Sequence, residues 1–360
     1  MKNTYGQSIS VTLFGESHGA MIGAVIDGIA PGIKIDIEYI QNCLDLRRPF
    51  GKISTSRCEA DELEIVSGVF NGYTTGTPIT VLIPNTNVKS ADYKGFTVTP
   101  RPSHADYTAE CKYHGFQDYR GGGHFSGRIT APLVAAGAVL RSALLAKGIK
   151  IGTHISALHG VCDRAICAED IDLLSTKRFP VIDGEAEAKM MAEIERAAEC
   201  GDSVGGVLET MITGVPAGVG EPFFDSVESA LSHILFSVPG IKGVEFGAGF
   251  ALASMYGSEA NDELCISDGK VATRTNRNGG INGGITNGMP ITFRCAVKPT
   301  PSIFKEQGTV NLDTMTEERL TINGRHDPAI IHRARAVVDA AAAIAIADML
   351  AVRYGTDWLK

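Results

Sequence analysis

A pattern of glycine, threonine and proline occurs twice in this chain. Gly72-x-Thr74-x-Gly76-x-Pro78-Ile79-Thr80 is matched by Gly284-x-Thr286-x-Gly288-x-Pro290-Ile291-Thr292. Upstream of each copy lies a second matched pair: Ile26 to Gly32 reads IDGIAPG, Ile212 to Gly218 reads ITGVPAG, and each precedes an aspartate placed to cap a helix, Asp36 and Asp225. Each half also closes in an alanine-rich helix. The first spans about Thr130 to Lys147 with Gly148 behind it, and the second starts near Asp327-Pro328 and runs to Tyr354 with Gly355 behind it. Four features matched in the same order point to an internal duplication, with half-repeats at about 1–148 and 206–360 joined by 149–205, where Glu185 to Cys200 reads as an exposed helix. Neighbouring strands joined by hairpins make antiparallel sheets, and alanine-lined helices pack closely on them. The expected fold class is therefore α+β, as one domain covering 1–360 with internal pseudo-symmetry.

Charge and cysteine usage narrow the function. A net charge of −8 excludes nucleic acid as the main partner, because duplex binding rests on a clustered excess of Lys and Arg. The eight cysteines form no CxxC pair and no zinc-ligand spacing, so they read as reduced thiols with no metal. The longest purely apolar run, Ala340 to Ala347, is far below the ~18 to 20 residues of a membrane span, and the N-terminus lacks an apolar signal core. A cytoplasmic protein without a membrane partner is expected.

Arginines that cluster in an acidic chain point to a small anionic ligand. Residues 101–128 (RPSHADYTAECKYHGFQDYRGGGHFSGR) hold Arg101, Arg120, Arg128, three histidines and a triple glycine. Glycine brings backbone N–H groups close to a ligand, arginine offers forked donors to phosphate or carboxylate, and histidine exchanges protons near neutral pH. Other loops add to this set. His18 in GESHG follows a strand whose Ile9, Val11 and Leu13 alternate with polar residues. Arg47 and Arg48 end a helix, where the helix dipole alone would explain them, but Lys52 and Arg57 soon add more positive charge. KPTPS at 298–302 combines a lysine and two hydroxyls with prolines that fix the backbone, and GRHDP at 324–328 places Asp327 where an ordinary N-cap would stand.

GESHG at 15–19, RPSHADYT at 101–108, YRGGGHFSGR at 119–128, GDSVGG at 201–206, KPTPS and GRHDP, in this order, closely resemble the chorismate synthase family over nearly the whole chain. The resemblance implies a phosphate lyase of the shikimate pathway, in aromatic amino acid biosynthesis. Such an enzyme converts 5-enolpyruvylshikimate 3-phosphate to chorismate by anti-1,4 elimination, and requires reduced FMN without net redox change. It implies helices sandwiched between two antiparallel sheets and a homotetramer. By the same resemblance His18 matches a histidine that protonates the departing phosphate, His104 one beside the reduced flavin, and Asp327 an aspartate near flavin N5. Arg47, Arg48, Arg57, Arg101 and Arg128 resemble the substrate's anion clamp. His124, Phe125, Ser126, Gly283, Lys298, Pro299, Thr300, Pro301, Ser302 and Arg325 resemble the flavin contacts. Many members carry Arg-Ser-Ser in place of His124-Phe125-Ser126 and Asn-Ala in place of Pro239-Gly240. No long insertion of the kind associated with bifunctional fungal members occurs, so NADPH enters only as a reductant of flavin outside this chain.

Two rival readings follow from the same residues. A metal-dependent phosphohydrolase would use His104, Asp106, His326 and Asp327, but the chain offers no closed ligand set and an excess of arginines. A noncatalytic anion-binding protein would account for the glycines and arginines, though not for the loop histidines.

Overall fold

The computed structural model describes residues 2–55, 59–86, 95–322, 324 and 326–360. Arg57 and Arg325 lie outside the described residues. One antiparallel sheet contains β1 (Thr4–Tyr5), β2 (Ser10–Gly15), β3 (Met21–Asp27), β4 (Glu64–Ser67) and, beyond the hairpin of β5 (Val69–Phe70) with β6 (Tyr73–Thr74), β7 (Ile79–Pro84). Its order is β1-β2-β3-β7-β4. The second contains β8 (Lys150–Leu158), β9 (Val161–Cys162), β10 (Gly206–Thr213) and β11 (Ile241–Phe246). After the hairpins of β12 (Leu264–Ser267) with β13 (Lys270–Thr273) and β14 (Ile281–Asn282) with β15 (Ile285–Thr286) comes β16 (Ile291–Val297). Its order is β11-β16-β10-β8-β9, and a last hairpin, β17 (Gln307–Asn311) with β18 (Thr316–Leu320), stands apart.

The central order β2-β3-β7-β4 in one sheet is repeated as β8-β10-β16-β11 in the other: first, second, fourth, third along the chain in both. Strand β8 thus stands where β2 stands, although its residues fall in the segment that the sequence assigns to a connector. The helices are α1 (Ile37–Arg47), α2 (Asp106–Tyr113), α3 (Thr130–Ala146), α4 (Asp170–Leu174), α5 (Gly184–Glu199), α6 (Val227–Leu235), α7 (Gly257–Ala260) and α8 (Ile331–Tyr354). Helix α3 packs on β2, β3 and β7, α8 packs on β8 and β10, and the two pack on each other between the sheets. This is the expected sandwich.

Small residues make that layer thin. A Cβ on Gly137 of α3 would overlap Ala340 of α8, so only glycine lets the two backbones approach this closely. The inward faces of the strands complete the core through Ile79, Val81 and Ile83 of β7 and Ile291, Phe293, Cys295 and Val297 of β16, in period-two alternation. The helical stretch Gly127–Ala146, α3 with the turn before it, is long and apolar enough to cross a membrane, but most of it is buried in this core.

Three helix details differ from the sequence reading. Asp36 caps α1 as expected, by accepting from the Tyr39 N–H at 2.9 Å. At α6 the cap is Ser226 instead of Asp225, since the serine hydroxyl reaches the Ser229 N–H. Helix α5 buries Ala186, Met190, Ile194 and Ala197, so it is amphipathic and only its other face is exposed. Helix α8 begins at Ile331, after Asp327-Pro328, and the Asp327 carboxylate bonds Thr55 and Arg333 instead of capping it.

Candidate active site

The loops that leave one end of both sheets converge on a single cleft of ≈ 930 Å³. That volume is near the upper end for small-molecule sites and leaves room for more than one ligand. Into it open Arg47 and Arg48 from the end of α1, His104, the segment His124–Arg128 before α3, Lys298–Ser302 after β16, and Asp327 and Arg333 at the start of α8. These segments are remote in sequence and are stitched together by polar bonds. Lys298 Nζ donates to the Ser103 carbonyl (2.7 Å), its N–H to the Gly240 carbonyl (2.9 Å), and His124 Nδ1 lies 2.9 Å from the Gly15 carbonyl.

The triple glycine has a steric cause. Gly121, Gly122 and Gly123 all have left-handed φ (61°, 81° and 53°), and a Cβ on Gly121 would overlap the His18 ring. His18 is buried against Gly121 and is not among the residues that line the cleft, and the Ser17 N–H beside it is bonded to the Gly123 carbonyl at 3.1 Å.

Two buried arginines share one carboxylate. Arg47 Nη2 donates to Asp61 Oδ2 at 2.6 Å, Arg128 Nη1 donates to Asp61 Oδ1, and Arg128 Nη2 lies 3.3 Å from Glu59 Oε2. Burial opposes the charge on Asp61, yet Arg47 and Arg128 more than offset it and hold its carboxyl below the usual range. Asp61 also has φ +52°, an unfavourable backbone for a residue with a Cβ, retained where this clamp over-determines it. Burial likewise pulls Arg47 down from its ordinary value, opposed by Asp61.

Asp327 accepts from the Thr55 N–H (Oδ1, 2.9 Å) and from Arg333 Nη1 (Oδ2, 2.6 Å), while Arg333 Nε donates to the Arg47 carbonyl at 2.8 Å. It ties the loop after α1 to α8. One residue earlier, Ser54 Oγ lies 2.8 Å from His332 Nε2. Burial first, then Arg333 and Arg178, push the His332 imidazole down to about 3, so it is neutral, and the pair is a second tie between the loop after α1 and α8. Burial and Arg101 also lower His326, which packs on Phe304 outside the cleft lining.

Of the residues read from the sequence, Arg47, Arg48, Arg128, His104, Asp327, His124–Ser126 and Lys298–Ser302 meet in the cleft. Arg101 does not line it. Its guanidinium is committed to Asp106 and lies 4.5 Å from the centroid of the Phe96 ring. Gly283 sits in the turn between β14 and β15, next to the Ile291 end of β16, whereas Lys298 follows the Val297 end; the strand between them spans ~20 Å. The sequence reading missed Asp61, Glu59, Arg333 and Lys242 in the cleft wall. Glu59-x-Asp61 beside the arginine cluster was a usable signal, since buried cations require partners. Among the described residues no three His, Cys, Asp or Glu side chains are grouped to hold a metal, and the four proposed for a hydrolase are divided: His104 and Asp106 bond each other and Asp327 bonds Arg333.

An α+β sandwich with the same strand order in both sheets, whose loops gather arginines, lysine, histidine and aspartate in one cleft, defines an enzyme for small, multiply charged anions. The chorismate synthase family model matches residues 9–351, and the chain belongs to that family. It is 48% identical over 348 residues to the chorismate synthase of Pyrococcus abyssi, covering 97% of both chains. It is 46% identical over 357 residues to that of Dehalococcoides mccartyi, covering 99% of this chain and 98% of the relative. A crystal structure of chorismate synthase superposes with a TM-score of 0.76 at 29% identity, over 97% of this chain and 94% of the other. The chain is accordingly a phosphate lyase of aromatic amino acid biosynthesis that converts 5-enolpyruvylshikimate 3-phosphate to chorismate, in a family that uses reduced FMN.

Proposed function

We propose that this chain binds reduced FMN and its substrate together in the one cleft, and that His18, His104 and Asp327 are the acid–base groups of the elimination. The observation that carries the flavin reading is Thr300, whose Oγ1 is buried in the cleft wall with no hydrogen-bond partner among the described residues. A buried hydroxyl without a partner is costly, and a polar or anionic group of a ligand would satisfy it. Lys298 to Ser302 and His124 to Ser126 would hold the flavin, with Pro239 and Gly240 closing the same wall and Phe125 offering an apolar face. Reduced FMN, when bound, lends electron density to the elimination.

The chain's own residues bind, orient and move protons. Arg47, Arg48 and Arg128 grip the carboxylates and phosphate of the substrate, and on the strength of the family resemblance Arg57 joins them while Arg325 joins the flavin contacts. On the strength of the family resemblance His18, which is buried just outside the cleft lining, gives a proton to the departing phosphate, and Asp327 holds the proton that leaves the substrate carbon. Arg101 serves the cleft indirectly, through His104. Gly283 lies at the end of its sheet away from Lys298, so the flavin contact that the family resemblance implies for it would have to come from a second copy, in the homotetramer that the resemblance also implies. Free thiols at the seven described cysteines suit a cytoplasmic enzyme, and flavin reduction is left to an outside source, with NADPH serving only there.

Anaerobic turnover with chemically reduced FMN, with and without NADPH, tests the external reduction: full activity without NADPH and no flavin reduction by NADPH alone are expected. Titrating FMN into wild type and Thr300→Val tests the binding wall. A hydrogen bond to a charged group is worth ~1.5 to 3 kcal/mol, so Kd should rise at least ~10-fold. Equal affinities would place the flavin elsewhere.

A further inference from the structure

We infer that Asp106 is the positioning residue of the site: it fixes the imidazole of His104 with its proton on Nδ1 and leaves Nε2 as the nitrogen that works in the cleft. The inference rests on the reading of His104 as an acid–base group. His104 Nδ1 lies 2.6 Å from Asp106 Oδ1, a charge-assisted contact. The carboxylate is itself fixed by Arg101, which donates to Oδ2 from its backbone N–H (3.0 Å) and Nε (2.8 Å) and to Oδ1 from Nη2 (2.8 Å).

Arg101 Nη2 also lies 3.0 Å from His104 Nδ1, and the two contacts demand opposite tautomers. A ring nitrogen cannot donate to Asp106 and accept from Arg101 at once. The carboxylate decides: it has no proton to give, and the Nη2 hydrogen has Asp106 Oδ1 as a better acceptor. Nδ1 therefore carries hydrogen. Nε2 makes no hydrogen bond to the described residues, and the ring lines the cleft. Gly122 guards that edge: at φ 81° it presents only backbone, and a Cβ there would stand 3.5 Å from Nε2. Burial opposes the charge on Asp106, and the hydrogen bonds from Arg101 and His104 overcome it, so the orienting carboxylate stays ionised.

Asp106→Asn supplies the test because Asn has one acceptor oxygen where two are needed. Arg101 retains that oxygen, the amide NH₂ turns toward His104, and the ring must accept at Nδ1 and move its proton to Nε2. In ¹⁵N-histidine spectra of the full enzyme at a pH where the ring is neutral, wild type is expected as the Nδ1–H tautomer and Asp106→Asn as Nε2–H. Turnover should fall ~10- to 1,000-fold, short of the ~10⁴-fold that losing the orienting aspartate costs a Ser-His-Asp triad, while KM stays within ~3-fold. A His104→Ala enzyme with wild-type turnover would remove His104 from the chemistry and this role with it. An impaired His104→Ala alongside an Asp106→Asn enzyme that keeps the Nδ1–H tautomer and full turnover would leave His104 in place and overturn the assignment to Asp106 alone. Should Asp106→Asn not fold, the wild-type spectrum decides: an Nε2–H resonance there overturns the inference.

Discussion

Thr74 and Thr286 make the same hydrogen bonds in the two halves of the chain. The Thr74 hydroxyl accepts from the Ile33 N–H (2.9 Å) and donates to the Ala30 carbonyl (2.7 Å); the Thr286 hydroxyl accepts from the Val219 N–H (2.9 Å) and donates to the Pro216 carbonyl (2.7 Å). Their backbones match too, with Gly32 N–H on the Thr74 carbonyl and Gly218 N–H on the Thr286 carbonyl, both at 2.8 Å. The two repeated sequence patterns are thus bonded to each other in each half. Their tight hairpins follow from the same need: Asn71-Gly72 and Gly283-Gly284 all have positive φ, which the two-residue turn requires.

Replacing either threonine by valine leaves a buried N–H and a buried carbonyl unpaired, each worth ~1 to 3 kcal/mol. We expect Thr74→Val and Thr286→Val each to cost roughly 2 to 4 kcal/mol, and the serine variants, which keep the hydroxyl, to cost less than about 1.5 kcal/mol. Both hairpins lie at the end of the sandwich away from the cleft, so turnover per folded enzyme should not change. Denaturant unfolding of the four variants measures this, and a Thr74→Val as stable as wild type would mean that water or a shifted backbone satisfies Ile33 and Ala30.

The site behaves differently from these scaffold positions, as Asp61 illustrates. Removing its charge by Asp61→Asn leaves Arg47 and Arg128 buried with Glu59 as the one remaining carboxylate partner among the described residues, a change of the kind that costs ~3 to 5 kcal/mol. Its folded pKa is depressed, so the stability it contributes is present above its unfolded value of ~3.9 and lost as pH falls through the lower folded one. Wild type should therefore lose stability on acidification across that window, and Asp61→Asn should start lower and show a shallower acid slope. Parallel slopes in urea unfolding at several pH values would show that another carboxylate carries the acid sensitivity.

The scaffold was largely legible and the wiring of the site was not, for physical reasons visible at particular residues. The repeats, Asp36 as a cap and the extent of α3 are local or periodic signals, and they locate the sandwich. Strand β8 escaped because both of its faces are covered: Thr153 bonds Asp339 at 2.6 Å inside the core, and buried His154 sits between Asp163 and Glu209, so polar residues occupy inward positions and hide the alternation. In the cleft, residue types pointed to anion chemistry, but which arginine faces ligand depends on pairings across the fold. Arg101 is held by Asp106 behind the cleft wall, whereas Arg128, though paired with Asp61, still lines the cleft, and neither pairing leaves a local trace.

Asp327 separates two roles that the sequence could not. It does not cap α8, which starts at Ile331 with Ile330 at the cap position and no side-chain bond there; it joins the Thr55 N–H to Arg333 in the wall of the cleft. It is therefore either a strut between the α1 loop and α8 or a proton-holding group. Asn keeps the shape but loses the charge and one acceptor. If the carboxylate works on substrate, Asp327→Asn should lower turnover at least ~10-fold, within the usual ~10²- to 10⁴-fold range of acid–base groups or just short of it. The loss of stability should stay near the ~1 to 3 kcal/mol of an unpaired polar group. Arg333→Met provides the comparison, because it breaks the same strut while leaving the carboxylate in the cleft. We expect Asp327→Asn to lose much more turnover than Arg333→Met at similar melting temperatures. Equal losses of turnover and stability in the two variants would identify Asp327 as a strut alone.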